Sequence, residues 1–149
     1  RASRHERSGP VISKTTLRIV LGIWVLWHLA FGVLATFAPA TGAQLSGWSP
    51  QGGWSGDMLA LSTQYGMVML LLALIYAIAL LDPVRYIRVL WVAIAEQAFG
   101  IAYAVYIYFG IGNVTLGQVG IQSVINVAVI VLLVMFWSRF RTSASATSA

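Results

Sequence analysis

The sequence predicts an all-α integral membrane protein, a four-helix up-and-down bundle with both termini in the cytoplasm. Three observations carry that expectation. Of the 149 residues, 59% are hydrophobic and only 9% charged, with a mean hydropathy of +0.83, whereas a soluble domain carries about 25% charged residues. Four stretches reach the roughly 20 apolar residues that a helix needs to cross a bilayer core about 30 Å thick. The nine Lys and Arg residues fall into three clusters with none between them.

The elements follow in chain order. Residues 1–16 are a polar, basic segment expected on the cytoplasmic side. The first span covers 17–37, Leu17 to Phe37, and Pro39 stops it. Its apolar run is too long for a signal h-region, so it is expected to be retained. An uncharged outer loop over 38–56, rich in Gly, Pro, Ser and Trp, leads to the second span, about 58–81. Ser55 or Asp57 is the expected N-cap there, and Asp82-Pro83 the stop. The third span, about 86–109, ends at the Gly110-Ile111-Gly112-Asn113 turn, and the fourth, about 115–137, closes at Ser138-Arg139. Residues 138–149 read as a disordered cytoplasmic tail, because Arg141 to Ala149 is a low-complexity Ser/Thr/Ala run. Short connections make consecutive later spans antiparallel neighbours.

Orientation comes from the charges. Arg1, Arg4, Arg7, Lys14 and Arg18, then Arg85 and Arg88, then Arg139 and Arg141 all fall on one side of a four-span chain. The positive-inside rule puts that side in the cytoplasm. Trp48, Trp54, Trp91 and Trp137 lie near the expected interfaces, as belt residues do. A net charge of +5 and a pI near 10.1 do not indicate nucleic acid, since the cations punctuate apolar runs and form no continuous face. The chain has no cysteine, which excludes thiolate zinc sites, iron–sulfur clusters and thiol catalysis. Phosphate-loop, H-E-x-x-H and nucleophile-elbow motifs are all missing from the sequence.

The candidate site consists of polar residues inside the spans: His28, Gln64, Glu96, Gln97, Tyr103, Gln118, Gln122 and Asn126. A charged side chain at mid-bilayer costs about 2.5–3.5 kcal/mol on insertion scales, so such groups normally face the interior of a bundle. His28, Glu96, Gln97 and Asn126 fall near the middle of their spans. Gln118, Gln122 and Asn126 are spaced four apart and share a helix face, while Glu96, Gly100 and Tyr103 share another. Together they predict a polar pocket that opens outward and ends at Glu96, His28 and Asn126. The competing reading is interhelical glue, each such bond contributing roughly 0.6–2 kcal/mol. Gly22, Gly32, Gly66, Gly100, Gly117 and Gly120 read as points of close helix approach, although none pairs as G-x-x-x-G. His28 beside Trp24, Trp27 and Phe31 also invites a porphyrin or other metal-ligand reading, though no second axial ligand lies in the spans.

The opening Leu17-Arg18-Ile19-Val20-Leu21-Gly22, followed by Phe31-Gly32 and Phe37-Ala38-Pro39, resembles the start of small four-helix bacterial membrane proteins of the DoxX-like and BphX-like type. The resemblance covers the four-span layout and the first helix. It implies a fold and a bacterial cytoplasmic membrane, and a link to quinone-dependent oxidation in some members. No catalytic residue transfers from it. The expected function is a non-catalytic accessory subunit of a larger membrane complex, or a binder of a quinone-like or lipid-like molecule in the outward pocket. The expected partners are membrane lipids and other membrane-protein subunits or further copies of the chain. The alternatives are a quinone-linked redox or proton-relay subunit using Glu96 and His28, and pigment or haem ligation through His28.

Overall fold

A computed structural model describes residues 13–45, 52–111 and 115–146. Arg1, Arg4, Arg7, Glu6, Trp48, Gly112 and Asn113 of the expected turn, and the last three residues lie outside that set. Every regular element among the described residues is helical: α1 Lys14–Phe37, α2 Pro39–Leu45, α3 Gly56–Leu81, α4 Leu90–Tyr106 and α5 Leu116–Ala146. A 3-10 turn, Ile87–Val89, leads into α4, and a π-helical turn, Ile107–Ile111, follows it. Four segments are long and apolar enough to cross a membrane, Lys14–Phe37, Gly56–Leu81, Ile87–Gly110 and Leu116–Arg141.

The helix ends follow from local chemistry. Ser13 Oγ accepts the Thr16 amide at 3.0 Å, and Ser55 Oγ accepts the Met58 amide at 3.3 Å as the N-cap of α3. Each satisfies an amide that the first turn leaves without an intrahelical acceptor. At the other end of α3 the Leu81 carbonyl accepts from Arg18 Nη2 at 3.3 Å, a cation placed where the helix dipole favours one. Against the stop expected at Ser138-Arg139, α5 continues to Ala146. The Ser, Thr and Ala residues expected as a disordered tail carry no helix breaker, and they extend α5 over 142–146.

The chain divides into two compact units, Arg18–Pro83 and a second made of residues 1–17 with Val84–Ala149. In the first unit α1 and α3 run antiparallel, since Arg18 meets Leu81, His28 meets Tyr76 and Ala35 meets Ser62. Their crossing is made of small residues. A Cβ on Gly66 would stand 2.6 Å from the Thr36 amide nitrogen and 2.8 Å from the Gly32 carbonyl oxygen, and one on Gly32 would stand 3.1 Å from the Gly66 carbonyl. Ser62 Oγ donates to the Ala35 carbonyl at 3.0 Å. The motif is therefore Gly32-x-x-x-Thr36 against Ser62-x-x-x-Gly66, small residues four apart on both helices, which allow backbone contact where dispersion and polar bonds drive association.

In the second unit α4 and α5 pack antiparallel, and the 3-10 turn also packs on α5. Ile87, Leu90, Ala93 and Gln97 are buried at spacings of three and four, and Asn126, Leu133 and Phe136 on α5 at spacings of seven and three. The outward surface is the reverse of a soluble protein. Phe109 is 81% exposed, and Phe37 and Leu81 are each 77% exposed, while His28 and Phe136 expose nothing. Large apolar side chains cover the exposed surface, while the buried set mixes polar His28, Gln97 and Asn126 with small Ala73, Ala79 and Ala93 and large Tyr76 and Phe136, as a hydrocarbon solvent permits.

Candidate functional site

Within Arg18–Pro83, the polar centre is His28 on α1. Its Nδ1 lies 2.8 Å from the Trp24 carbonyl oxygen, one turn earlier. A carbonyl only accepts, so Nδ1 carries the proton and, in the neutral ring, Nε2 holds the lone pair. The ring meets Tyr76 of α3 edge-on at a centroid distance of 5.1 Å and Trp24 at 5.7 Å. Tyr76, like His28, is fully enclosed. Trp27 and Phe31 stack on one another at 4.3 Å, with Trp27 more than half exposed, and of the three aromatic residues expected around His28, Trp24 sets its ring against the imidazole. Gln64 is exposed on α3.

The second unit holds the remaining candidates. Asn126 is 3% exposed and lies at the α4–α5 seam. Its Oδ1 accepts from Gln122 Nε2 at 2.8 Å, and its Nδ2 makes a long 3.5 Å contact with the Gln97 carbonyl. Gly100 of α4 leaves the space for it, since a Cβ there would stand 2.8 Å from Asn126 Nδ2. Gln97 is 7% exposed and Glu96 half-buried. Tyr103 is 63% exposed, turned away from the seam, because α4 packs through the face of Leu90, Ala93 and Gln97.

Gln118 has a different task from the one its spacing suggested. Its Oε1 accepts from the Thr115 amide at 2.8 Å and from Thr115 Oγ1 at 3.0 Å, while its own amide donates to Thr115 Oγ1 at 3.3 Å. This is a reciprocal capping box at the start of α5. The signal for it, Thr115-x-x-Gln118 before an apolar run, stands in the sequence. The stripe thus resolves into a cap, a donor and a buried amide. The structure brings Gln97, Gly100, Gln122 and Asn126 together, buries His28 with Tyr76, and leaves Gln64, Tyr103 and Gln118 exposed.

Chemically, the Asn126 cluster holds two helices in register through amides and a carbonyl that do not ionise. His28 is the only imidazole in the spans, and it is enclosed on all sides, so a porphyrin would need Trp24 or Tyr76 to give way. No cluster of three His, Cys, Asp or Glu side chains able to hold a metal lies among the described residues. A shallow depression bordered by Ser123, Val124, Val127 and Ala128 on α5 is apolar and contains none of the candidate residues. No family model, curated protein or solved structure matches the chain.

Proposed function

We propose that the chain is a four-span protein of a bacterial cytoplasmic membrane, N-in and C-in, serving as a non-catalytic accessory subunit of a larger membrane complex. The observation that carries this reading is the use of Asn126. Its amide is bonded by Gln122, contacts the Gln97 carbonyl and fills the space at Gly100, so the polar stripe spends its strongest groups on helix packing. The exposed surface of each unit is largely apolar and aromatic, fit for lipid and for neighbouring helices. The orientation rests on the cation clusters, and a four-helix layout is what the DoxX-like resemblance implies.

Extraction from native membranes in mild detergent, followed by native mass spectrometry, tests the reading. Membrane polypeptides should co-purify in fixed ratio with the wild type, and equally with Glu96→Gln and His28→Ala. A chain that emerges alone, carrying one quinone or lipid that both substitutions remove, would overturn it in favour of a ligand pocket.

One observation favours a second reading, a proton-relay subunit. His28 Nδ1 is tied to the Trp24 carbonyl, so a relay through this ring would use Nε2. Loss of proton-coupled activity of the host complex on His28→Phe, with assembly intact, supports this second reading; unchanged activity removes it.

A further inference from the structure

Trp91 and Trp137 meet edge-on across α4 and α5, ring centroids 5.5 Å apart. This contact ties the first turn of α4 to the last part of the membrane-length segment of α5. One turn further from the membrane centre, on the same helix faces, stand Arg88, three residues before Trp91, and Arg141, four residues after Trp137. Both are exposed. Arg88 is held in place by its backbone, since the 3-10 turn Ile87–Val89 packs on α5 with Ile87 and Leu90 buried to either side. Arg85 and Arg139 add charge to the same end, and Glu96, inside the span, is the single acid from Val84 onward. Two arginines one helical turn beyond an aromatic pair, at the edge of an apolar surface, combine phosphate-binding chemistry with a hydrocarbon-facing surface.

We propose that Arg88 and Arg141, above the Trp91–Trp137 pair, form a headgroup site for one anionic phospholipid. The lipid phosphate is recognised by planar, bidentate donors, the indoles lie at the glycerol level, and the acyl chains run down the exposed Val92 and Val134 side chains. Basic residues between transmembrane helices on the cytoplasmic side commonly meet anionic headgroups. The Trp contact distinguishes this from diffuse attraction, because it holds together the two helix ends that carry Arg88 and Arg141.

The test uses the full chain in nanodiscs of phosphatidylcholine with a minority of phosphatidylglycerol. Native mass spectrometry of the released protein should show phosphatidylglycerol retained in preference to phosphatidylcholine. R88Q/R141Q should lower that preference roughly tenfold or more, given the usual contribution of two juxtamembrane cations. R85Q/R139Q removes the same charge and should keep most of it, whereas R88K/R141K, which keeps the charge but loses the planar fork, should lose a clear part of it. Equal losses in R88Q/R141Q and R85Q/R139Q would overturn the site in favour of a diffuse field. Release of the lipid by millimolar inorganic phosphate, or by an acidic peptide, would overturn it in favour of a different ligand. A second measurement uses the unaltered arginines: brominated phosphatidylglycerol should quench tryptophan fluorescence more than brominated phosphatidylcholine, and W91F/W137F should erase the difference. Equal quenching by the two lipids in the wild type contradicts the proposal.

Discussion

Asn126 occupies the room that Gly100 leaves open on the facing helix, its Nδ2 only 2.8 Å from where a Cβ at position 100 would stand. The two residues are 26 positions apart and neither explains the other in sequence. Together they let a polar side chain sit at the α4–α5 seam without spreading the helices, with Gln122 and the Gln97 carbonyl as its partners.

That relationship predicts a coupled pair. Gly100→Ala gains helix propensity, up to about 1 kcal/mol by soluble scales, but displaces the Asn126 amide, whose bonds contribute roughly 0.6–1.7 kcal/mol in a membrane. In the wild type the substitution should therefore be neutral or destabilising, whereas in Asn126→Ala it should stabilise. A double-mutant cycle in bicelles should return a coupling near 1 kcal/mol. Simple additivity would show that the two residues do not share space.

Gly66 and Gly22 should behave oppositely. A methyl on Gly66 meets the Thr36 amide and the Gly32 carbonyl, backbone atoms that cannot rotate aside, so Gly66→Ala should destabilise by roughly 2 kcal/mol or more, within the range for overpacking. Gly22 has nothing within 4 Å of an added Cβ, and Gly22→Ala should be neutral or slightly stabilising. Reversible unfolding of both variants in mixed micelles decides the matter; equal effects would contradict the crossing.

The hydrogen bond to Trp24 fixes the tautomer of His28. Nitrogen-15 chemical shifts of the labelled ring should report Nδ1 as the protonated nitrogen whenever the ring is neutral. A neutral Nε2–H tautomer contradicts the geometry. His28→Ala should also cost about 2–4 kcal/mol, as buried large-to-small changes do, by emptying the space beside Tyr76.

Gln118 should matter to the start of α5 and to nothing deeper. Gln118→Ala and Thr115→Ala should each lower stability by about 0.5–2 kcal/mol and speed amide exchange at residues 116–119, leaving exchange around Asn126 unchanged. If Gln118→Ala leaves exchange at 116–119 at the wild-type rate, the capping box contributes nothing.

Much of the helical layout was legible in the sequence for a simple reason. A bilayer demands a minimum apolar length and rejects unpaired backbone groups, so runs such as Leu17 to Phe37 and Met58 to Leu81 announce themselves. Helix ends were less legible: the continuation of α5 to Ala146 depends on residues compatible with either helix or coil. The site was legible only in part. His28, Gln97 and Asn126 were singled out as buried polar groups and are buried, while Gln64 and Tyr103, chosen by the same rule, lie on exposed faces. In a span that is apolar on every side, no amphipathic stripe tells which face turns inward. At the α1–α3 crossing Gly32 and Gly66 were legible as points of close approach and are so, while Thr36 and Ser62 were not, because the signal lies in small residues four apart of any kind and not in glycine pairs alone.

Composition and charge placement by themselves determined that this chain is helical, that it has four stretches long enough to cross a membrane, and where its cations gather. Those are one-dimensional quantities, set by the thickness and polarity of the bilayer. Only the tertiary structure decided which residues within each span meet: Gly66 with Thr36, His28 with Tyr76, Asn126 with Gly100, and Trp91 with Trp137. The rotation of each helix about its axis is fixed by close packing of small and polar groups against a neighbour, and hydrocarbon outside gives no preference of its own. The low charge count therefore placed the chain in a membrane, and packing assigned its few polar residues their partners.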